Sequence, residues 1–184
     1  MAETRKDKTP IVLTPHSTEW AAMARAEADK LAAALGEQLL VVHHIGSTAI
    51  PGIKAKPIVD LLPVVLDIRA LDSQKSAITA LDYEWLGEYG LPGRRFCRLI
   101  EPQTGTRKFH AHFYAVGNSE ITRHIAFRDY LLAYPAIAKT YEAEKEAAAA
   151  LNPNDMIAYN DAKNDWVKRT ERDALRWWPS SRAN

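Results

Sequence analysis

The residues of this chain that can do chemistry gather in two stretches. In the first, Gly46-Ser47-Thr48 follows an apolar run (Leu39 to Val42) and His43-His44, then Pro51-Gly52, Lys56 and a second apolar run from Ile58 to Leu66 broken by one acid, Asp60. Glycine permits a turn whose successive N–H groups converge, and such a concavity takes phosphate, with the Ser47 and Thr48 hydroxyls as further donors. The same residues also read as an ordinary turn into a helix with a hydroxyl cap. The Gly-Lys-Ser/Thr ending of a phosphate-binding P-loop is absent. Asp60 in an apolar strand costs several kcal/mol if buried unpaired. It calls for Lys56, another cation or a metal, and Mg²⁺ held by one carboxylate plus substrate phosphates is one such partner.

The second stretch holds His110 and His112, which alternate along a strand and so share a face. With His43 or His44 they could bind zinc; alone they could donate to phosphate, move a proton near neutrality or serve as hydrogen-bonded structure. Arg94, Arg95, Arg98, Arg107 and Lys108 make the neighbouring segment basic. That suits a phosphoanion or carboxylate, and equally a charged edge that resists aggregation. Arg128 follows in Arg128-Asp129-Tyr130. Tyr141/Lys145 and Tyr159/Lys163 are spaced i, i+4, one helical face each. A lysine at the rim of an anion site fits that spacing, but the plainer expectation is a lysine stem lying along a core tyrosine with its amine in solvent.

The elements that must position these groups follow from periodicity. Ile11 to Leu13 reads as a short edge strand. A helix capped by Ser17 or Thr18 carries Trp20, Met23, Ala24, Ala28, Leu31 and Leu35 at helical spacing and stops at Gly36. The two apolar runs around Gly46 read as buried strands, and 71–81 as a surface helix with Leu71, Ile78 and Leu81 inward. Strands near 95–100 and 108–116, joined through Gly105, form an antiparallel hairpin, which makes the class α+β with a small mixed or antiparallel sheet. From Asn118 the pattern is helical, with starts at Ser119, Pro135 and Asn154 or Asp155. The expected division is a tail over 1–10 and one domain over 11–184, its α/β part at 11–117 and its helical part at 118–178.

Composition sets the limits. With 47% hydrophobic and 26% charged residues, the chain can bury a core and keep a polar surface. A net charge of +1 selects neither nucleic acid nor an anionic membrane as partner, so any anion preference must be local. Cys97 is the sole cysteine, which rules out an intrachain disulfide. The polar start MAETRKDKTP and the lack of any long apolar run point to a cytoplasmic, bacterial-type protein without a membrane span.

At HHIGSTAIPGIKAKPIVDLL the chain resembles the GrpB family, and the likeness extends through FHAHFY (109–114), FRDYLLAYPAIAKTYEAEK (127–145) and YNDAK (159–163). That family is similar to the nucleotidyltransferase fold and also occurs fused to dephospho-coenzyme A kinases. The resemblance implies a mixed sheet flanked by helices, with a helical C-terminal region closing over a site for a nucleoside triphosphate or other phosphoanion. It matches Gly46 and Ser47 to a phosphate-holding turn and Asp60 to the first acid of a Mg²⁺-binding pair. The position of the second acid holds Leu62, and the adjacent strand offers His110 and His112 where a third acid would stand. Two functions follow as expectations. One is nucleotidyl transfer to a small acceptor, with Gly46, Ser47, Thr48, Lys56, Arg94, Arg95, Lys108, Arg128 and Lys163 binding phosphate or substrate, and Asp60, His110 and His112 catalytic. The other is an accessory nucleotide-binding module without catalysis, linked for instance to coenzyme A metabolism.

Overall fold

One sheet carries an apolar core on one face and the polar residues of interest on the other. The computed structural model describes residues 10–181, with side chains through Trp178; of the expected tail over 1–10, residues 1–9 lie outside them. Five strands, β1 (Leu39–Ile45), β2 (Val59–Val65), β3 (Tyr83–Trp85), β4 (Arg95–Ile100) and β5 (Arg107–Ala115), are ordered β1-β2-β5-β4-β3. Only β2 and β5 pair in parallel, and β4–β5 is the antiparallel hairpin that the alternation predicts. The fold is therefore α+β with a mixed sheet.

Alternation along the strands sorts the side chains. Val59, Leu61 and Val65 of β2, with Cys97, Phe109, Ala111 and Phe113, form the main core against helix α1 (Glu19–Leu35). Trp20, Ala24, Leu31 and Leu35 of α1 point into it as the spacing requires, and Gly36 (φ +56°) ends the helix. The acid Glu27, 1% exposed and ion-paired to Lys30 at 2.8 Å, is buried more deeply than the expected Ala28. The 71–81 segment is two short helices, α2 (Ile68–Ser73) and α3 (Lys75–Thr79), broken at Gln74, with Leu71 and Ile78 inward. Asp67 caps the first by accepting from the N–H groups of Arg69 (2.6 Å) and Ala70 (2.9 Å). Ile78→Val should cost about 1 kcal/mol, the usual value for one buried methyl. The urea midpoint should fall with no change in slope, and an unmoved midpoint would mean that α3 does not dock as described.

The first apolar run departs from expectation: β1 is an edge strand, not a buried one. Its register against β2 slips at Leu40, leaving Leu40 (48% exposed) and Val41 (43%) outward. Such a bulge is how an edge blunts its pairing potential. The expected strand at Ile11–Leu13 does not join the sheet either. Prolines at 10 and 15, which lack an N–H, bracket it; Ile11 N–H donates to Pro153 O (2.8 Å), and Thr14 makes an isolated bridge with Ala55.

Helices α4 (Ser119–Ala133), α5 (Pro135–Leu151) and α6 (Met156–Ser181) cover the second face. Asn118, rather than Ser119, caps α4, its side chain accepting from Glu120 N–H; Asp155 caps α6. Ile125 of α4 packs on Ile45, Leu62 and Tyr114, closing one end of that face. The loop after Gly46 buries Ile50 and Ile53 against Leu131, Ala138 and Tyr141. Lys139 Nζ donates to Gly52 O and Lys145 Nζ to Lys54 O, pinning the same loop to α5. The other end of the face stays open as a cleft. No helix among the described residues is long and apolar enough to cross a membrane.

Candidate functional site

Strand register brings the site together. Ile45, Asp60, His110 and Arg98 stand side by side across β1, β2, β5 and β4, and His112 is opposite Phe96 one alternation further on. Gly46, directly after Ile45, turns the chain over Asp60 with φ +71° and ψ −171°. A Cβ there would fall 2.5 Å from Asp60 Oδ2, so the Gly46-Ser47 turn and the strand aspartate meet in direct contact. His110 Nδ1 lies 3.2 Å from Asp60 Oδ1, and His112 Nε2 lies 3.8 Å from it. Burial would raise the Asp60 pKa, but the two imidazoles outweigh it and hold the carboxyl well below its usual range. It is a carboxylate at any working pH.

Around this floor opens a cavity of about 770 Å³, within the range of small-molecule sites. Lys56, Arg94, Arg98, Arg107, Lys145 and Lys163 line it against the carboxylates Asp60 and Asp161. Arg98 is ion-paired to Glu84 at 2.5 Å, and the remaining cations still outnumber the carboxylates of the lining in a chain of net charge +1. Lys145 is 2% exposed, and burial pulls its pKa down to about 8 although Glu142 and Glu146 favour the charge. Its ammonium lies over the Tyr141 ring (4.7 Å), while Lys56 (4.9 Å) and Lys163 (5.2 Å) both lie over Tyr159. Burial lowers the Lys163 pKa too, with Asp60 opposing. The Tyr141 ring itself stacks on Trp166 at 5.2 Å and 9°. These cations are thus held over rigid aromatic faces inside the cleft, not snorkelling to solvent.

The structure brings Gly46, Ser47, Thr48, Lys56, Asp60, Arg94, His110, His112 and Lys163 to one cavity. Three candidates lie elsewhere. Arg95, on the opposite face of β4 from Arg94, forms a fork with Asp72 (Nη2 at 2.7 Å). Lys108 is the extra residue of a bulge, since Leu99 pairs with Phe109 and Ile100 with Arg107; it reaches Glu101 at 3.6 Å while Arg107 takes the cleft side. Arg128 pairs with Asp129 and donates to His44 O (3.0 Å), bracing β1 instead of the ligand space. Thr48 lines the floor, but its hydroxyl is engaged with His44 Nε2 at 2.9 Å. Burial lowers the His44 pKa to about 4, helped by Arg128, so this imidazole is neutral and structural.

Tyr89, Arg98, Arg107, Tyr141, Lys145 and Tyr159 also line the cavity. Period-two alternation from Arg94 would have selected Arg98 over Arg95, whereas no local signal reveals the bulge that admits Arg107. Tyr89, with φ +45° and its ring stacked on Phe96 (5.2 Å, 24°), stands at the mouth and is 61% exposed.

The Mg²⁺ expected with the family likeness fits this donor set poorly. Mg²⁺ takes oxygen in near-octahedral geometry. Here Asp60 is flanked by two imidazole nitrogens, and Leu62, at the position of the second acid, is fully buried beneath α4.

Known proteins give the geometry its context. The sequence pattern of the GrpB protein family matches residues 10–173. The UPF0157 protein YqkA of Bacillus subtilis (strain 168) is 38% identical over 94% of this chain and 49% of its own length. A dephospho-CoA kinase of Mycolicibacterium paratuberculosis is 27% identical over 95% of this chain and 48% of its own length, so the chain spans about half of each of these two relatives. The crystal structure of conserved protein GrpB from Enterococcus faecalis superposes with a TM-score of 0.85 at 38% identity, covering 91% of this chain and 99% of that one. A sequence pattern matching nearly the whole chain, together with that superposition, leads to one conclusion: this chain belongs to the GrpB family.

Proposed function

We propose that the cleft binds a nucleoside triphosphate, or a phosphoanion of similar size, and that the chain transfers the nucleotidyl group to a small acceptor. One observation carries the reading: the Gly46-Ser47 turn and Asp60 touch at the floor of a cavity lined by six cationic side chains. Lys145 and Lys163 on the helical wall, Lys56 on the loop and the buried Arg94, which also donates to Tyr89 O (2.7 Å), supply cations from several sides of the cavity for linked phosphates. Tyr89 offers an aromatic face at the mouth for a planar base. In the transfer, the acceptor oxygen attacks the α-phosphorus while the bond to the bridging oxygen breaks and pyrophosphate leaves. The protein contributes position and preorganised positive charge where negative charge builds up on the leaving group. The test incubates the full chain with each nucleoside triphosphate and a panel of small acceptors, and follows pyrophosphate. Asp60→Ala should release it at least about tenfold more slowly than wild type, the scale of one lost polar group in a site. Equal rates would reject the transfer.

A second reading has its own support. Leu62 removes the second acid of the nucleotidyltransferase pattern, and this chain is similar to about half of a protein named dephospho-CoA kinase. A nucleotide-binding accessory module would bind tripolyphosphate or a nucleotide without turnover, with Asp60→Asn leaving affinity unchanged.

A further inference from the structure

We infer that Asp60, His110 and His112 form a site for one first-row transition-metal dication, Zn²⁺, Co²⁺ or Fe²⁺ in preference to Mg²⁺, at the floor of the cleft. The inference deepens the reading proposed above, because it names the ion that would face the bound phosphates, but its geometry stands independently of any anion.

Three donors converge: one Asp60 carboxylate oxygen and one nitrogen of each imidazole, all within 4.8 Å of one another. Ligands about 2.0–2.2 Å from a tetrahedral zinc stand roughly 3.3–3.6 Å apart. The carboxylate–imidazole edges here are 3.2 Å and 3.8 Å. The longer edge exceeds hydrogen-bond length, so His112 faces the Asp60 oxygen at ion-pair distance. A shared ion would be bracketed by both edges, with one oxygen and two nitrogens facing it.

The backbone holds the donors in place. Asp60 and His110 are neighbours in a parallel ladder, and His112 is two residues further along the same strand. The rings of His110 and His112 both pack on Phe96, at 5.3 and 5.0 Å. Gly46 packs on the other carboxylate oxygen, leaving Oδ1 as the one turned to the histidines. Two imidazoles with one carboxylate are a borderline-soft set that suits zinc, cobalt or iron, while Mg²⁺ prefers oxygen throughout. Three protein donors leave positions open toward the cleft, where Lys145 and Lys163 would assemble a phosphate chain. Such an ion acts as a Lewis acid on a phosphoryl oxygen.

The test strips the full chain with chelator, titrates Co²⁺ and separately Mg²⁺ by calorimetry, and records the visible spectrum of the Co²⁺ form. One equivalent of Co²⁺ should bind at least 100-fold more tightly than Mg²⁺, with d–d bands of nitrogen–oxygen coordination. His110→Asn, His112→Gln and Asp60→Asn, which keep side-chain shape, should each weaken Co²⁺ at least tenfold, with far-UV circular dichroism confirming the fold. His43→Ala, outside the triad, should not. No Co²⁺ binding, equal affinity for Mg²⁺, or Co²⁺ affinity untouched by the two histidine variants would overturn the inference. Tripolyphosphate binding by the stripped protein separates the two ideas. If it persists while Co²⁺ fails, the metal site is wrong and the anion cleft stands; if Co²⁺ binds and tripolyphosphate does not, the reverse holds.

Discussion

Gly46→Ala is expected to destabilise the chain by about 4 kcal/mol and to lower anion affinity at the cleft. Two independent costs add. The backbone at Gly46 (φ +71°, ψ −171°) lies in a region that is essentially glycine's own, worth about 1–3 kcal/mol for any other residue. The new methyl would also fall 2.5 Å from Asp60 Oδ2 and 3.1 Å from both its Cβ and Cγ. Overpacking of that kind costs about 1–3 kcal/mol more. Asp60 cannot simply swing aside: its other oxygen is bonded to His110, and its Cβ is fixed on a central strand. Gly52 is the control, since it has φ +78° with nothing within 4 Å of its would-be methyl, and Gly52→Ala should show the backbone cost alone. Urea midpoints of both variants, repeated on an Asp60→Ala background, isolate the contact. On that background the Gly46→Ala cost should shrink toward the Gly52→Ala value. A cost that stays the same would mean that the turn and the aspartate do not touch.

That contact was half legible in the sequence. A glycine-hydroxyl turn after one apolar run and a lone acid in the next identify the two partners, because each is costly where it stands unless it meets something. What brings them together is register, and register depends on pairings made far along the chain. Asp60 meets Gly46 through β1 and His110 through β5, which joins from 50 residues away. Local pattern does well where one face is strictly apolar. The α1 stripe, the β4–β5 hairpin and the Pro135 start of α5 all came from period and from proline chemistry. It fails at bulges, where a single extra residue reverses every side chain beyond it. The slip at Leu40 turns an apolar run outward, and the one at Lys108 exchanges Lys108 for Arg107 at the cleft. It also passes over Glu27, because its ion-pair partner, Lys30, belongs to the same helix and the two look like an ordinary exposed pair.

The helical wall is where spacing alone was least able to decide. Tyr141/Lys145 is equally good grammar for a solvent-seeking lysine and for a buried one, and only the loop carrying Ile50, Ile53 and Lys54 shuts the amine inside. Lys145→Met is therefore expected to have opposite effects on stability and on binding. Burial lowers the Lys145 pKa from 10.5 to about 8, so the unfolded chain binds this proton more tightly than the folded one. The sign follows: the ammonium opposes folding by about 3 kcal/mol at pH 7, and the penalty is relieved as pH rises from about 8 toward 10.5. Methionine keeps the stem and removes the charge; it forfeits the hydrogen bond to Lys54 O, about 1 kcal/mol. A net gain of about 1–2 kcal/mol at pH 7 should appear in thermal or urea unfolding, fading as pH rises above about 8. Tripolyphosphate affinity should fall by about 30- to 140-fold at pH 7, the worth of one buried charge-assisted contact of about 2–3 kcal/mol. Wild-type affinity should be level below pH 8 and decline above it as the free amine loses its proton, while the variant shows no such inflection. Glu142, Glu146, Lys56 and Lys163 also act on this amine, the carboxylates favouring its charge and the lysines opposing it. Neutralising Glu142 should therefore move the inflection to lower pH. A variant that is both less stable and undiminished in binding would place Lys145 in the core and not in the site. A destabilising charge retained at the wall of a cleft is what a binding function predicts and what packing alone does not.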